Sequence, residues 1–169
     1  MILIRPEAPE HAAGVYQVEK LAFDRAAEAD LCERLRARSA VTLSLVALDE
    51  GEVIGHVLFS PVTIRGEQGE LRAEGMGPVS VLPGRQNQGV GSRLVRAGLE
   101  ELRQSGVQAV VVLGDPRYYS RFGFEPAARH GITFPNLDPA HTDAFQIIEF
   151  RRGCLIPGVA IYEPEFNEV

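Results

Sequence analysis

The chain has 169 residues, of which 45% are hydrophobic and 24% are charged, and this composition excludes collagen-like and disordered proteins. Seventeen Lys and Arg side chains against 23 Asp and Glu give a net charge of −6, which argues against a broad binding surface for nucleic acid or an anionic membrane. A chain of this length buries about 70% of its unfolded surface in one core. We therefore expect a single domain over residues 1–169.

The sequence contains no segment that predicts a membrane span. The longest run without Asp, Glu, Lys or Arg, Val53 to Ile64, has 12 residues, which is too short to cross a bilayer. The N-terminal residues lack the apolar core of a signal peptide, so we expect a cytoplasmic protein. Cys32 and Cys154 are far apart and without a CxxC motif, which predicts two reduced thiols and no metal site.

The first 40 residues are predicted to form a short strand followed by helices. Ile2 to Arg5 is a β-rich run, and a turn follows from Pro6 to Pro9. From Glu10 onwards, apolar residues recur at spacings of three and four, which is the helical pattern. The same spacing continues after Asp24, so we expect a second amphipathic helix there.

The middle of the chain has a β pattern. Val41 to Leu48 and Val53 to Ile64 are β-rich runs separated by the turn Asp49-Glu50-Gly51, which predicts a hairpin. Leu71 to Leu82 is a third extended segment. We therefore expect three consecutive antiparallel strands.

A crossover unit is predicted next. Val90 to Ser105 has helical spacing and ends at a glycine, and Val107 to Leu113 is a nearly continuous apolar run, as expected of a strand buried on both faces. The preceding strand, this helix and this buried strand form a βαβ unit with parallel strands. A short helix capped by Asp115 is expected after it, and two more strands around residues 145–150 and 159–162.

The most informative segment is the loop from Pro83 to Leu94, between a predicted strand and a predicted helix. Gln86, Gly89 and Gly91 follow a Q-x-x-G-x-G spacing. Glycines let the backbone approach a ligand closely, and the first turn of the helix presents free N–H groups. Together with the positive end of the helix dipole, this arrangement favours a pyrophosphate cradle. The alternative is that the glycines only shape a turn into the helix.

Two common phosphate loops do not fit this segment. A dinucleotide-binding fingerprint requires a third glycine where this chain has Leu94, and a nucleoside-triphosphate loop requires a lysine where it has Val90. The sequence therefore favours neither NAD nor ATP.

The order of these elements, the Q-x-x-G-x-G loop and the segment GDPRYYSRFGF from Gly114 to Phe124 resemble the GNAT superfamily of acetyl-CoA-dependent N-acetyltransferases. The resemblance covers nearly the whole chain and, through VIGHVLFSPV, DAFQ and YEPEFN, is closest to the YhbS-like branch of bacterial acetyltransferases. It implies an α/β (α+β) single-domain GNAT fold, with a mixed, mostly antiparallel central sheet and a βαβ acetyl-CoA-binding core.

The resemblance also implies where acetyl-CoA binds. The backbone of the strand segment would pair with the pantetheine arm, and the Val81 N–H would polarise the thioester carbonyl, where charge develops in the transition state. The following loop would hold the pyrophosphate. The implied cofactor-binding residues are Val79, Ser80, Val81, Gln86, Asn87, Gln88, Gly89, Val90, Gly91 and Ser92.

Two catalytic residues are implied in the same way. Tyr119 would donate a hydrogen bond or a proton to the departing thiolate, because a thiol pKa is about 8.5 and a phenol pKa about 10. The alternative is an aromatic side chain that only packs. Because an alkylamine is protonated at neutral pH, the attacking amine also needs a base.

The candidate base is a carboxylate on the strand before the loop. Some family members carry a Glu on the strand before the loop, at a position that falls on Gly75, whereas the nearest carboxylate here is Glu74. A shift of one residue reverses the face of a strand unless a bulge intervenes, so a solvated Glu74 is the alternative. His56, on the second hairpin strand, is a further candidate for a residue of the site. The alternative is that it is a hydrogen-bonded histidine in the core or on the surface.

The predicted function is direct transfer of an acetyl group from acetyl-CoA to a primary amine of a small molecule, a peptide terminus or a lysine. Ser80 lies in GPVSV rather than in a GxSxG motif, which disfavours acyl hydrolysis. The alternatives are an acetyl-CoA-binding sensor or scaffold and a transferase of a longer acyl group. The acidic charge favours a cationic acceptor, and the resemblance raises a homodimer formed through the C-terminal strands.

Overall fold

A computed structural model describes the whole chain, residues 1–169. It contains four α-helices, which are α1 (Ala12–Phe23), α2 (Ala27–Ala37), α3 (Val90–Gln104) and α4 (Pro116–Tyr119). It contains nine strands, which are β1 (Ile2–Pro6), β2 (Leu43–Asp49), β3 (Glu52–Gly66), β4 (Gly69–Val81), β5 (Ala109–Leu113), β6 (Glu125–Pro126), β7 (Ile132–Thr133), β8 (Phe145–Glu149) and β9 (Gly158–Tyr162). None of the helices has the length and apolar character needed to cross a membrane.

The residues group into two compact units. The first unit comprises Met1–Phe59, Gly77–Glu101 and Pro164–Val169, and the second comprises Ser60–Met76 and Leu102–Glu163. The strands β3 and β4 each contribute residues to both units.

The first unit contains α1, α2, most of α3 and an antiparallel meander. β1 pairs antiparallel with β2, and β2 pairs antiparallel with the first half of β3. The turn between β2 and β3 places Glu50 and Gly51 at φ values of 51° and 85°, and two left-handed residues in succession are what a tight hairpin turn requires. Buried apolar side chains of α1 and α2, among them Val15 and Leu35, form the core with residues of β2 and β3.

The second unit contains the parallel part of the sheet. Glu74 to Met76 of β4 pair in parallel with Val110 to Val112 of β5, and α3 makes the connection, so the βαβ prediction is confirmed. β5 pairs antiparallel with β8, and β9 pairs antiparallel with β3. The core here includes Ile64, Val111, Phe145 and other apolar residues of these strands.

Most of the predicted elements are present, and the sheet is mixed and mostly antiparallel as expected. Residues 109–112 of β5 are each at most 1% exposed, which confirms a strand buried on both faces, although β5 begins at Ala109 rather than at Val107. The strands β6 and β7 were not predicted. Each has two residues, which is too short for an alternating pattern to appear in the sequence.

Candidate functional site

The end of β4 presents a backbone edge that faces away from β3. The Leu82 N–H donates to the Ile54 carbonyl at 2.9 Å, and the Ser80 carbonyl lies so close to Gly55 that a β-carbon there would be 3.2 Å from it. Because successive residues of a strand direct their backbone groups to opposite edges, Val79 and Val81 direct theirs away from β3. Their segment also lies beyond the ladder with β5, which ends at Met76.

The side chain of Ser80 is turned into the protein. It is 3% exposed, and its hydroxyl donates to Glu19 Oε1 at 2.9 Å. A hydroxyl held in this way is not presented to a substrate.

The loop after β4 has left-handed residues and leads into the N-terminus of α3. Asn87 and Gly89 adopt left-handed φ values of 61° and 83°, and residues 86–89 are exposed. The first intrahelical bond of α3 runs from the Arg93 N–H to the Gly89 carbonyl at 3.1 Å. The amide groups that precede it therefore have no helical carbonyl to bond and carry the partial positive charge of the helix N-terminus.

Side chains within the loop hold it in place. The Gln86 side-chain amide donates to the Val81 carbonyl at 3.1 Å, and Arg85 donates to Asp49 at 2.7 Å. The Arg85 hydrogen bond lowers the pKa of Asp49, so this pair is charged at neutral pH. The cofactor-binding residues predicted from the sequence thus form one contiguous strand end and loop in the first unit.

Tyr119 lies in the second unit, on a helix whose start is as predicted. Asp115 caps α4 by accepting from the Arg117 N–H at 2.9 Å, and Pro116 occupies the first helical position. The Tyr119 ring packs edge-to-face on Phe124, with 5.9 Å between ring centroids. Its hydroxyl has no hydrogen-bond partner within the protein, and burial raises the pKa of Tyr119 to about 12. The phenol is therefore a protonated, available donor at neutral pH.

Glu74 is half-buried on β4 in the second unit, opposite Val110. The register of β4 with β5 runs without a shift from Glu74 to Met76, so Glu74 and Gly75 stand on opposite faces of the strand. A β-carbon at Gly75 would be 2.8 Å from Val62 Cγ2 and 2.9 Å from Tyr162 Cε2. The face on which the family's carboxylate would stand is therefore filled by Val62 and Tyr162.

His56 is a core residue rather than a solvent-facing group. It is fully buried, and its Nδ1 lies 2.5 Å from Glu19 Oε1. Sequence reasoning missed Glu19, which is also fully buried. The signal for it was present, because Glu19 falls four residues after Val15 on the apolar face of α1, where a charged residue requires a buried partner.

Comparison with known proteins identifies the family. The model of the acetyltransferase (GNAT) domain matches residues 4–127. The chain is 42% identical to the uncharacterized N-acetyltransferase YhbS of Escherichia coli K12, over 98% of this chain and 99% of that protein. It is 45% identical to the uncharacterized N-acetyltransferase YjhQ of the same strain, over 69% of this chain and 66% of that protein.

Solved structures agree with this assignment. The crystal structure of E. coli YhbS in complex with CoA superposes with a TM-score of 0.90 at 41% identity, and covers 98% of this chain and 92% of that one. A GNAT family acetyltransferase of Brucella melitensis in complex with acetyl-CoA superposes with a TM-score of 0.81 at 39% identity, and covers 98% of both chains. The protein described above therefore belongs to the GNAT family of N-acetyltransferases, in its YhbS-like branch.

Proposed function

We propose that this protein transfers an acetyl group from acetyl-CoA directly to a primary amine. The observation that carries the proposal is the backbone edge of Val79 and Val81 that faces away from β3, followed at once by the left-handed loop at the N-terminus of α3. A ligand with an extended, amide-containing chain would lie along the strand edge, and the pyrophosphate at the end of that chain would lie at the loop. The CoA bound by E. coli YhbS and the acetyl-CoA bound by the B. melitensis protein support the same ligand.

The strand end and the loop divide the recognition of acetyl-CoA between them. The outward-facing backbone groups of Val79 pair with the amides of pantetheine, as a further strand would, while the Val81 carbonyl accepts from Gln86. The amide groups of residues 86–92, at the positive end of α3, bind the pyrophosphate. The Val81 N–H polarises the thioester carbonyl, where negative charge develops during attack.

Tyr119 assists the leaving group in this proposal. A thiolate of pKa about 8.5 is a strong hydrogen-bond acceptor, and the pKa of Tyr119 of about 12 keeps the phenol protonated throughout the reaction. Because the phenol is the weaker acid, its contribution is a strong hydrogen bond to sulfur, and solvent supplies the final proton.

The acceptor side is proposed more broadly. The net charge of −6 favours a cationic amine on a small molecule or a peptide, since a negative surface concentrates such acceptors. Glu74 is retained as the candidate base.

We also propose that residues 1–169 act as one acetyltransferase domain, because the family model spans residues of both units. The two free thiols, Cys32 and Cys154, support a reducing cytoplasmic setting.

The test combines cofactor binding with turnover. Calorimetry with acetyl-CoA is expected to show one site per chain, and a panel of primary amines is expected to release free CoA. Tyr119→Phe is expected to lower turnover by about tenfold to a hundredfold at unchanged acetyl-CoA affinity, while Tyr118→Phe, the adjacent tyrosine of α4, serves as the matched control.

Three outcomes would contradict parts of the proposal. Failure to bind acetyl-CoA would refute it as a whole. Binding without transfer to any amine or protein acceptor would favour a sensor or scaffold. Equal turnover in Tyr119→Phe and Tyr118→Phe would remove Tyr119 from the reaction.

A further inference from the structure

The first unit contains a buried cluster of charged and polar side chains to which the acetyl-transfer reaction assigns no role. Glu19 and His56 are both fully buried, and burying an unpaired charge is costly. The cluster brings together side chains from both N-terminal helices, from three strands and from the residue that follows β1. Its members are Glu7, Glu19, Cys32, Arg36, Ser44, His56 and Ser80.

The hydrogen bonds of the cluster identify the charge on His56. Its Nδ1 contacts Glu19 Oε1 at 2.5 Å, and its Nε2 contacts Ser44 Oγ at 2.8 Å. The Ser44 hydroxyl donates to a carboxylate oxygen of Glu7, so Ser44 can only accept from His56. Both ring nitrogens of His56 therefore face acceptors, which is the arrangement of an imidazolium.

The charged neighbours of His56 fit this protonation state. Arg36 pairs with Glu7 at 2.7 Å and with the more exposed Glu33 at 2.8 Å, whereas buried Glu19 has His56 as its cationic partner. Burial lowers the pKa of His56, but the neighbouring carboxylates of Glu19 and Glu7 more than compensate, so the pKa of His56 is raised overall. Burial and the neighbouring Glu19 raise the pKa of the Cys32 thiol, which stays neutral.

Ser80 links the buried cluster to the end of β4. Its hydroxyl donates to the same oxygen, Glu19 Oε1, that accepts from His56. Glu19 lies on α1, and Ser80 stands between Val79 and Val81 on β4. The bond therefore ties α1 to the strand segment whose backbone the proposed function uses to hold pantetheine.

We propose that the buried Glu19–His56 ion pair positions the cofactor-binding strand through Ser80, so that Glu19, His56 and Ser80 are positioning residues for acetyl-CoA. The inference rests on the proposed function. Without the bond to Glu19, the Ser80 segment loses its tether to α1, and part of the binding free energy of CoA must then order Val79 and Val81.

A metal centre is the competing interpretation of the same residues. The ligand atoms of Glu19, Cys32 and His56 lie within 4.8 Å of one another, and these residue types are zinc ligands. However, two ligands of a tetrahedral zinc ion stand about 3.3 Å apart, whereas Glu19 Oε1 and His56 Nδ1 are in direct contact at 2.5 Å. The distance favours a hydrogen-bonded ion pair.

The experiment measures CoA binding by calorimetry in Ser80→Ala, which removes only the hydroxyl of the tether. We expect the Kd for CoA to rise about fivefold to tenfold, and Ser80→Thr, which keeps the hydroxyl, to restore most of the affinity. Ser60→Ala is the matched control, because Ser60 is also fully buried but its hydroxyl has no partner. It should bind CoA as the unaltered protein does.

Two further measurements complete the test. The ¹⁵N chemical shifts of His56 at neutral pH should be those of an imidazolium, and elemental analysis of the purified protein should find no stoichiometric zinc. Equal CoA affinity in Ser80→Ala and Ser60→Ala, a neutral His56, or one bound zinc per chain would each overturn the inference. Failure of the unaltered protein to bind CoA would instead refute the proposed function, so the two failures are distinguishable.

Discussion

Gly114 and Tyr119 are packed so closely that a β-carbon at position 114 would lie 2.5 Å from Tyr119 Cε2. No real side chain is accommodated at that distance, so the absence of a β-carbon at Gly114 is what allows the Tyr119 ring its position. The Gly114 carbonyl in turn accepts from the Gln146 side-chain amide at 3.2 Å. Gly114, at the end of β5, therefore connects Gln146 of β8 through a hydrogen bond and Tyr119, the proposed hydrogen-bond donor to sulfur, through close packing.

Gly114→Ala is the first test of this relationship. The new methyl group must displace the Tyr119 ring, and we expect a loss of about 1–3 kcal/mol in the free energy of unfolding together with the same loss of turnover as in Tyr119→Phe. Denaturant unfolding and CoA release measure the two effects. Because both substitutions act on one group, the double variant should show no further loss of turnover; additive losses would contradict the coupling.

The cofactor loop offers a matched pair of glycines. A β-carbon at Gly84 or at Gly89 would meet nothing within 4 Å, but only Gly89 has a left-handed φ, of 83°. Gly89→Ala should therefore cost about 1 kcal/mol in backbone strain, which we expect to appear as an approximately fivefold rise in the Kd for CoA. Gly84→Ala should leave the Kd unchanged. Equal effects of the two substitutions would show that the loop conformation is not what binds the ligand.

The pKa of Tyr119 makes a prediction about pH. Burial raises the pKa of Tyr119 to about 12, so the protonated phenol persists to higher pH than an exposed tyrosine would allow. The ratio of turnover in the unaltered protein to that in Tyr119→Phe should be constant between pH 7 and about pH 10. A ratio that falls across this range would mean that Tyr119 ionises earlier and is more exposed in solution.

Glu7 makes a prediction about acid stability. Burial alone would raise the pKa of Glu7, but hydrogen bonds from His56, Ser44 and Arg36 lower it to about 2, against about 4.5 in the unfolded chain. The stabilisation of the folded protein by ionised Glu7 is therefore complete above pH 4.5 and is lost as the pH falls towards 2. This contribution to the free energy of unfolding amounts to about 3 kcal/mol.

Chemical denaturation of Glu7→Gln at pH 7 and at pH 3 checks this. The difference in unfolding free energy between the unaltered protein and the variant should shrink at pH 3. Glu70→Gln is the control, because the Arg65–Glu70 pair is more than half exposed on both sides and such pairs contribute little. A Glu7→Gln difference that is independent of pH would contradict the lowered pKa.

The fold could be predicted from the sequence wherever a long pattern repeated. The helical spacing after Glu10 and the apolar run that ends at Leu113 matched α1 and β5 to within about two residues. The two-residue strands β6 and β7 could not be found, because they are held by pairing with β8 and β9 rather than by a local pattern. The cofactor loop was visible because glycine spacing and left-handed backbone are local properties.

The surroundings of the candidate catalytic residues and of the buried polar residues depended on contacts between distant parts of the chain. The sequence by itself determined that a glycine-containing loop joins a strand to a helix, that Asp115 caps a helix and that a tyrosine stands at its end. Only the tertiary structure decided that Gly75 faces Val62 and Tyr162, that Gly114 makes room for Tyr119, and that His56 pairs with Glu19 instead of facing a substrate. A local sequence pattern reflects the backbone conformation that each residue favours. The partner of a buried charge, in contrast, depends on packing between elements that are far apart in sequence.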